Sequence, residues 1–366
     1  TPQNGEVPSG GGLPGPSGGA QSNTGGSANG GEIVSGDSPP DALGLISDVQ
    51  AKNYFVSGNV VTILSPDGQI RRILDGEAEV LSSSPISNLV DSAFSHDGKR
   101  LFVSFGNRRM PSVSIFDTEA KTWQPLSFTV ESIAWSPNSY DVAYLTRKDG
   151  VATISLLDTK NQKAKPRNIM NVRAYDVHLS WIRPDGILLV ERGSALTRTS
   201  VWILSISKKT LEPIVEDSLG IEINWDKNEE SGIIFKSDSD NQNGSIGTIG
   251  ISGAIRRFSF VTLASKCTSS KNAPAPMASS TQIDTIIFCA VSKNPSSLSF
   301  ANLPDDYEKK AIRTNDSFYR VSVGSGTIEP LSLGAAGIVE GSLLKFFGER
   351  LFFVNRFDGR LYSLLP

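Results

Sequence analysis

From about residue 42 onward, short apolar runs alternate with turn residues, and the three-to-four spacing of an amphipathic helix is absent. The runs fall into a recurring unit. An apolar strand ends in an aromatic residue, and a polar turn leads to a second apolar strand. An amphipathic strand and another polar turn follow. The clearest copy is Val90-Asp91-Ser92-Ala93-Phe94-Ser95-His96-Asp97-Gly98-Lys99-Arg100-Leu101-Phe102-Val103. Further copies are Glu131–Asn138 with Val142–Leu145, then His178–Val190, then Ile223–Asp226 with Gly232–Phe235. Their terminal aromatics, Phe94, Trp135, Trp181 and Trp225, are 41, 46 and 44 residues apart. That spacing is the period of a four-stranded propeller blade. Outer strands repeat as well: Ser114–Thr118 and Ser155–Thr159 precede Lys-containing turns, and Trp202–Ile206 and Tyr319–Val323 alternate as half-buried strands do.

Seven such units fit, at about 48–82, 89–126, 130–170, 175–215, 221–260, 261–333 and 338–366. The sixth carries an insertion. The last holds only three strands, Val339–Phe347, Arg350–Val354 and Arg360–Leu365, and Ala42–Ser47 is expected to supply its fourth. Joining the two ends of the domain in one blade removes open sheet edges. The expected fold is therefore an all-β propeller of seven blades, each of four antiparallel strands. Six blades with an irregular sixth segment is the alternative count.

Composition divides the chain in two. Residues 1–40 contain no Lys, Arg or aromatic residue and carry glycine clusters at 10–12, 18–19, 25–26 and 30–31. Such a segment cannot bury enough apolar surface to offset the entropy of ordering it. We expect 1–41 to be a flexible linker or stalk, with an end-to-end distance of roughly 35 Å, and 42–366 to be the propeller domain. The formal net charge of −3, from 35 basic and 38 acidic residues, leaves no clustered basic face for nucleic acid and no polybasic segment for anionic lipid. No run of 18 apolar residues occurs, so no membrane-spanning segment is expected within the chain. Because the sequence begins at Thr1, an anchor or signal segment is expected upstream of it.

Phe94-Ser95-His96-Asp97-Gly98-Lys99, Trp135-Ser136-Pro137-Asn138 and Trp181-Ile182-Arg183-Pro184-Asp185-Gly186 resemble the Trp-Ser-Pro-Asp-Gly-Lys repeat of TolB-like propellers. The same repeat occurs in the propeller of prolyl oligopeptidase-type enzymes. Ser65-Pro66-Asp67-Gly68 keeps part of it but precedes a third strand. The resemblance covers roughly 45–365 as architecture. It implies the fold and says little about function. The stalk-and-propeller layout is also similar to membrane-anchored bacterial surface proteins whose late blade reads Lys-Cys, then Cys-Ala-Val-Pro, then Pro-Asp-Asp. Lys266-Cys267, Cys289-Ala290-Val291-Ser292 and Pro304-Asp305-Asp306-Tyr307 stand in that order here, with Ser292 in place of the proline.

Cys267 and Cys289 fall on consecutive strands of the sixth unit. Neighbouring strands lie about 4.8 Å apart, within disulfide reach if the register agrees. A disulfide is the favoured reading, and two buried thiols the main alternative. A metal site would call for more Cys or His nearby. The two histidines, His96 and His178, sit at non-equivalent turn and blade positions and form no catalytic set with a nucleophile. Gly15-Pro16-Ser17-Gly18-Gly19 matches a nucleophile elbow only formally, because it lies in the linker and not on a strand-to-helix turn. Asp238–Gly244 is oxygen-rich but has Asn243 and Ile249 where a calcium loop needs Gly and Glu, so it reads as a solvated turn. The sequons at Asn243 and Asn315 are of a length that chance matches readily produce. No cofactor, metal or catalytic residue is expected.

The insertion, at about 268–282 and 292–316, is the best candidate for a binding loop, centred on Pro304, Asp305, Asp306 and Tyr307. The functional reading is an extracytoplasmic, non-catalytic interaction module for a protein or envelope ligand that the sequence does not name. A lyase or hydrolase acting in the propeller channel, and a structural part of an envelope assembly, are the rival readings.

Overall fold

The computed structural model describes residues 43–366 apart from 109, 162, 228, 238–243, 271–284 and 335–336. The expected linker over 1–41, the Gly15–Gly19 motif, most of the Asp238–Gly244 turn and the first half of the insertion lie outside the described residues. The rest is a seven-bladed propeller: seven sheets of four antiparallel strands each. Blades 1 to 6 span Asn53–Val80, Leu89–Pro125, Ser132–Val172, Val177–Leu219, Glu222–Arg257 and Cys267–Leu331. Blade 7 takes three strands from Gly341–Leu364 and its outermost strand from Leu43–Gln50. Leu43 pairs with Leu364 and Leu45 with Tyr362, so the closure expected from the sequence is present and the six-blade count is excluded. The closing strand runs on to Gln50, so blade 1 begins at Asn53, later than its apolar pattern suggests.

The core lies between blades. Second strands such as Arg100–Asn107 and Ser231–Lys236 are buried on both faces because a neighbouring blade covers each side. This is why they read as continuous apolar runs and not as alternating ones. Ala134, Leu145, Leu179, Trp181 and Leu189 pack together across blades 3 and 4, and Phe102, Ile133, Trp135 and Val142 across blades 2 and 3. All four anchoring aromatics are buried. Trp135 also donates from Nε1 to the Ala93 carbonyl of blade 2 at 2.8 Å, which fixes the two blades in register.

The repeated polar turn has its own chemistry. Ser95 Oγ donates to Asp97 Oδ1 at 2.8 Å, and the Lys99 amide donates to the same oxygen at 3.2 Å. The short polar side chains thus close the turn that joins the first two strands. Gly98 completes it at φ +73°, and a Cβ there would stand 2.1 Å from the Phe55 ring of blade 1. Gly98→Ala is expected to lower stability by about 1–3 kcal/mol, read as a shifted denaturant midpoint with an unchanged slope. Ser65-Pro66-Asp67-Gly68 makes the same turn, with Ser65 Oγ 2.6 Å from Asp67 Oδ1, but between the second and third strands.

Because every innermost strand runs the same way along the channel, the turns between first and second strands gather at one end, the lower face. The turns between second and third strands, and the inter-blade connections, gather at the other, the upper face.

Candidate binding face

The second part of the blade 6 insertion, 292–316, emerges on the upper face between the strands Ile286–Ser292 and Asp316–Ser322. It contains a 3-10 turn, Pro295–Leu298, and a one-turn helix, Asp305–Glu308. Leu298, Ala301, Leu303 and Tyr307 are buried in the cluster that also holds Phe235 and Ile246 of blade 5. Polar contacts extend the hold. Asp305 Oδ2 accepts from the Ala195 amide of blade 4 at 2.7 Å, and Glu308 pairs with Arg192 of the same blade at 3.2 Å. The Leu303 carbonyl accepts from Ser237 Oγ of blade 5. From blade 7, the Arg356 guanidinium lies 3.8 Å from the centre of the Tyr307 ring and donates to the Tyr307 carbonyl at 3.1 Å. The insertion therefore straps three blades.

The four residues expected to form a binding loop are brought together in this segment. Pro304 and Tyr307 are buried, and Asp305 and Asp306 are half-buried, each accepting a backbone amide. Their visible role is to hold the segment down. Among its exposed positions are Phe300, Glu308, Lys309 and Lys310.

Beneath the strap lies a buried ionic network. Lys266 Nζ is 2.8 Å from Asp316 Oδ2 and donates to Thr314 Oγ1 at 2.7 Å. Asp316 Oδ2 also accepts from the Gly341 amide at 2.8 Å, which ties blade 6 to blade 7. Glu340, fully buried, accepts from Arg356 at 2.7 Å and Arg313 at 3.2 Å. Burial pulls Lys266 below its ordinary pKa, against the opposing pull of Asp316.

Glu222, at the start of the innermost strand of blade 5, borders this region. Its Oε2 is buried and has no hydrogen-bond partner. Burial pushes its pKa up to about 7, the Glu308 charge adds to the push, and donors of Ser265 and Ala264 oppose it. A carboxyl raised in the folded state binds its proton more tightly there than in the unfolded chain. Its contribution to stability is therefore full below the unfolded pKa of about 4.3 and is lost as pH rises through about 7. Glu222→Gln is expected to raise the melting temperature at about pH 8 and to leave it nearly unchanged near pH 4. Thermal denaturation at both pH values checks this.

The remaining upper face carries a concentration of exposed apolar side chains. Among the described residues the four most exposed large ones are Phe300 at 91%, Leu196 at 79%, Tyr175 at 71% and Ile338 at 62%. All four belong to upper-face loops: Phe300 to the strap, Leu196 to the second-to-third-strand turn of blade 4, and Tyr175 and Ile338 to inter-blade connections. Tyr175 is held by Arg147, whose guanidinium lies 4.7 Å from its ring centre. Arg147 is itself fixed by Glu131 at 2.7 and 2.9 Å and by the Ala174 carbonyl at 2.7 Å. Tyr175, with Arg108 and Asp176, separates two clefts. One, of about 590 Å³, runs toward blades 2 and 3, and the other, of about 930 Å³, toward Arg192 and the strap residues Glu308 and Lys309. The sequence offered no motif for Tyr175 or Leu196. Their only signal is a large apolar residue inside a connection whose other positions are small or polar.

Cys267 and Cys289 face each other in register and form a disulfide, with Cα atoms 4.2 Å apart. His96 lies against Tyr140 in the first turn of blade 2, whereas His178 is exposed on the innermost strand of blade 4. Among the described residues no group of three His, Cys, Asp or Glu side chains is placed to hold a metal ion. No helix among them is long and apolar enough to cross a membrane.

No protein-family model and no curated protein matches the chain. Solved structures do. An oligogalacturonate lyase from Vibrio parahaemolyticus is 12% identical, over 87% of this chain and 91% of that one, with a TM-score of 0.58. A prolyl endopeptidase is 13% identical, over 85% of this chain and 44% of that one, with a TM-score of 0.54. A chain described as TolB, from Agrobacterium tumefaciens, is 14% identical over 57% of this chain and 79% of that one, with a TM-score of 0.42. The first two likenesses concern the fold alone. At these identities the fold is all that is shared, and enzymes stand among the neighbours.

Proposed function

We propose that the chain is a non-catalytic binding module that works outside the cytoplasm and docks a protein partner on its upper face. One observation carries the reading: among the described residues the four most exposed large apolar side chains all stand on that face, beside two clefts. Apolar side chains gathered on one face and rimmed by charge mark an interaction surface. Tyr175, clamped by Arg147, has the character of a rigid aromatic anchor that loses little entropy on binding. The disulfide supports an oxidising compartment.

The test compares wild type with a Tyr175→Ser, Phe300→Ser variant as bait in envelope extracts, followed by binding titration of any captured protein. Both side chains are exposed, so the variant is expected to melt like wild type. Its affinity for the partner is expected to fall by roughly thirtyfold or more, as for loss of a central anchor. Equal binding by the two forms would remove the upper face as the docking site.

A further inference from the structure

The lower face also carries the turns between third and fourth strands, and the one in blade 3 is basic. It joins the strands Val151–Asp158 and Arg167–Val172. Lys160, Lys163, Lys165 and Arg167 stand on it, all exposed, and among the described residues none of them forms an ion pair. Asp158 is the one acid in this stretch, and its Oδ1 accepts from the Lys160 amide at 2.8 Å. The whole chain has a formal net charge of −3, so four unpaired cations on one turn are a local concentration of positive charge. The turn is held in shape. Asn161 Oδ1 accepts from the Lys163 amide at 3.0 Å, and the Thr159 hydroxyl donates to the Tyr140 carbonyl at 2.6 Å.

Beside the turn, a cleft of about 500 Å³ opens between it and the outer part of blade 2. Arg100 and Lys160 both line this cleft. One ring places them: Arg100 Cζ lies 4.7 Å, and Lys160 Nζ 4.6 Å, from the centre of Tyr140. Arg100 is fixed further by its Nη1, which donates to the Thr159 carbonyl at 2.8 Å and to the Thr159 hydroxyl at 2.9 Å. Contacts within the fold thus bring two cations to one cleft. The acids around them already have partners. Asp117, also in the cleft wall, lies 3.7 Å from Arg100 Nε and accepts from the Glu119 and Ala120 amides at 3.0 and 2.8 Å. Glu119 pairs with Lys99 at 2.7 Å. Asp97 accepts from the Tyr140 hydroxyl, from Ser95 and from the Lys99 amide. Lys160 and the three cations beyond it face solvent without a carboxylate.

We propose that this cleft and the basic turn beside it bind an acidic polysaccharide, a sugar chain bearing carboxylate or sulfate groups. A single small anion would meet the cleft alone, whereas a chain leaving the cleft passes over Lys163, Lys165 and Arg167. The walls of the cleft select a sugar. Thr122 and Gln124 line it, and hydroxyl and carboxamide groups both donate and accept hydrogen bonds, as sugar hydroxyls require. Nucleic acid fits less well. The Tyr140 ring is engaged by two cations and Trp123 leans on Phe116 at 4.8 Å, so neither ring is set out for a base to stack on. The site lies at the opposite end of the channel from the docking face and does not depend on it.

The probes are alginate oligosaccharides, which carry carboxylates, and heparin oligosaccharides, which carry sulfates as well, titrated calorimetrically into the purified chain at low salt. Saturable binding of at least one is expected, and it should weaken as salt is raised, because exposed charges are screened. Binding of alginate alone would assign a uronate chain, of heparin alone a sulfated one, and of both a site that reads anionic charge on a sugar chain. The triple variant Lys160→Glu, Lys163→Glu, Lys165→Glu is expected to melt like wild type, because all three side chains are exposed. Its affinity is expected to fall roughly tenfold or more. The control variant Lys148→Glu, Lys310→Glu reverses two exposed lysines of the upper face and is expected to bind like wild type. No saturable binding of either glycan, or equal binding by wild type and the triple variant, overturns the proposal. An equal loss in the control variant would remove the site from the lower face. Poly-glutamate or a DNA oligonucleotide bound as tightly as the better glycan would overturn the assignment to a sugar chain.

Discussion

Asp316→Ala is expected to lower the unfolding free energy by about 3–5 kcal/mol, the range for stranding one half of a buried ion pair. Lys266 is only 3% exposed and Asp316 not at all, so water cannot readily replace the lost carboxylate. Thr314 Oγ1 would be the one close oxygen left to the ammonium, with the Tyr307 ring 5.3 Å away. The Gly341 amide would lose its acceptor in the same step. The protein can relieve the strain by releasing the proton from Lys266, so the loss should be largest at low pH and shrink as pH rises. Denaturant unfolding at several pH values tests both parts. The double replacement Lys266→Met, Asp316→Leu should recover much of the deficit, because removing both charges removes the stranded one. A loss below about 1 kcal/mol for Asp316→Ala would mean that solvent reaches Lys266, and the seam between blades 6 and 7 would then rest on apolar packing alone.

This ion pair also shows where reading the sequence stops. The blade count was legible because each unit must bury an aromatic at the end of its innermost strand. Phe94, Trp135, Trp181 and Trp225 repeat at the period that the packing demands. The second strands were legible because burial on two faces leaves no polar positions. Blade 1 was less so. Its innermost strand, Asn53–Ser57, ends without a matching aromatic, and its Ser-Pro-Asp-Gly turn closes the other end of the blade. The side chains of the buried ionic network were not legible. Lys266, Asp316, Arg356 and Glu340 come from three separate stretches of chain, and only the packing of blade 7 against blade 6 brings them together. Pro304-Asp305-Asp306-Tyr307 was found for its composition. Its tyrosine joins the apolar cluster under the strap and its proline is buried, while Phe300 and Glu308–Lys310 are exposed, which composition alone does not distinguish.

Cysteine placement, by contrast, could be read from strand order. Its consequence is a second large effect. Replacing Cys267 and Cys289 together by Ala is expected to cost about 3 kcal/mol, the chain-entropy value for a loop of this size. The two residues are 22 apart and directly opposed on the first and second strands of blade 6. Uncrosslinked, the unfolded chain gains the freedom of the whole intervening loop, while the folded blade keeps its four-stranded pairing. The penalty should therefore appear mainly as a lower melting temperature with little change in strand content by circular dichroism. Both sulfurs are fully buried among Leu263, Ala264, Ile287 and Tyr307, so reductant should act only on molecules that have opened. Native protein should resist dithiothreitol at low temperature and lose the bond on partial unfolding. The same bond tests the compartment, because disulfides persist where the surroundings are oxidising. Protein taken from its native source, unfolded without reductant, should give no free thiols. Two free thiols would mean that the bond does not form in the cell. The extracytoplasmic reading would then rest on the composition of residues 1–41 alone.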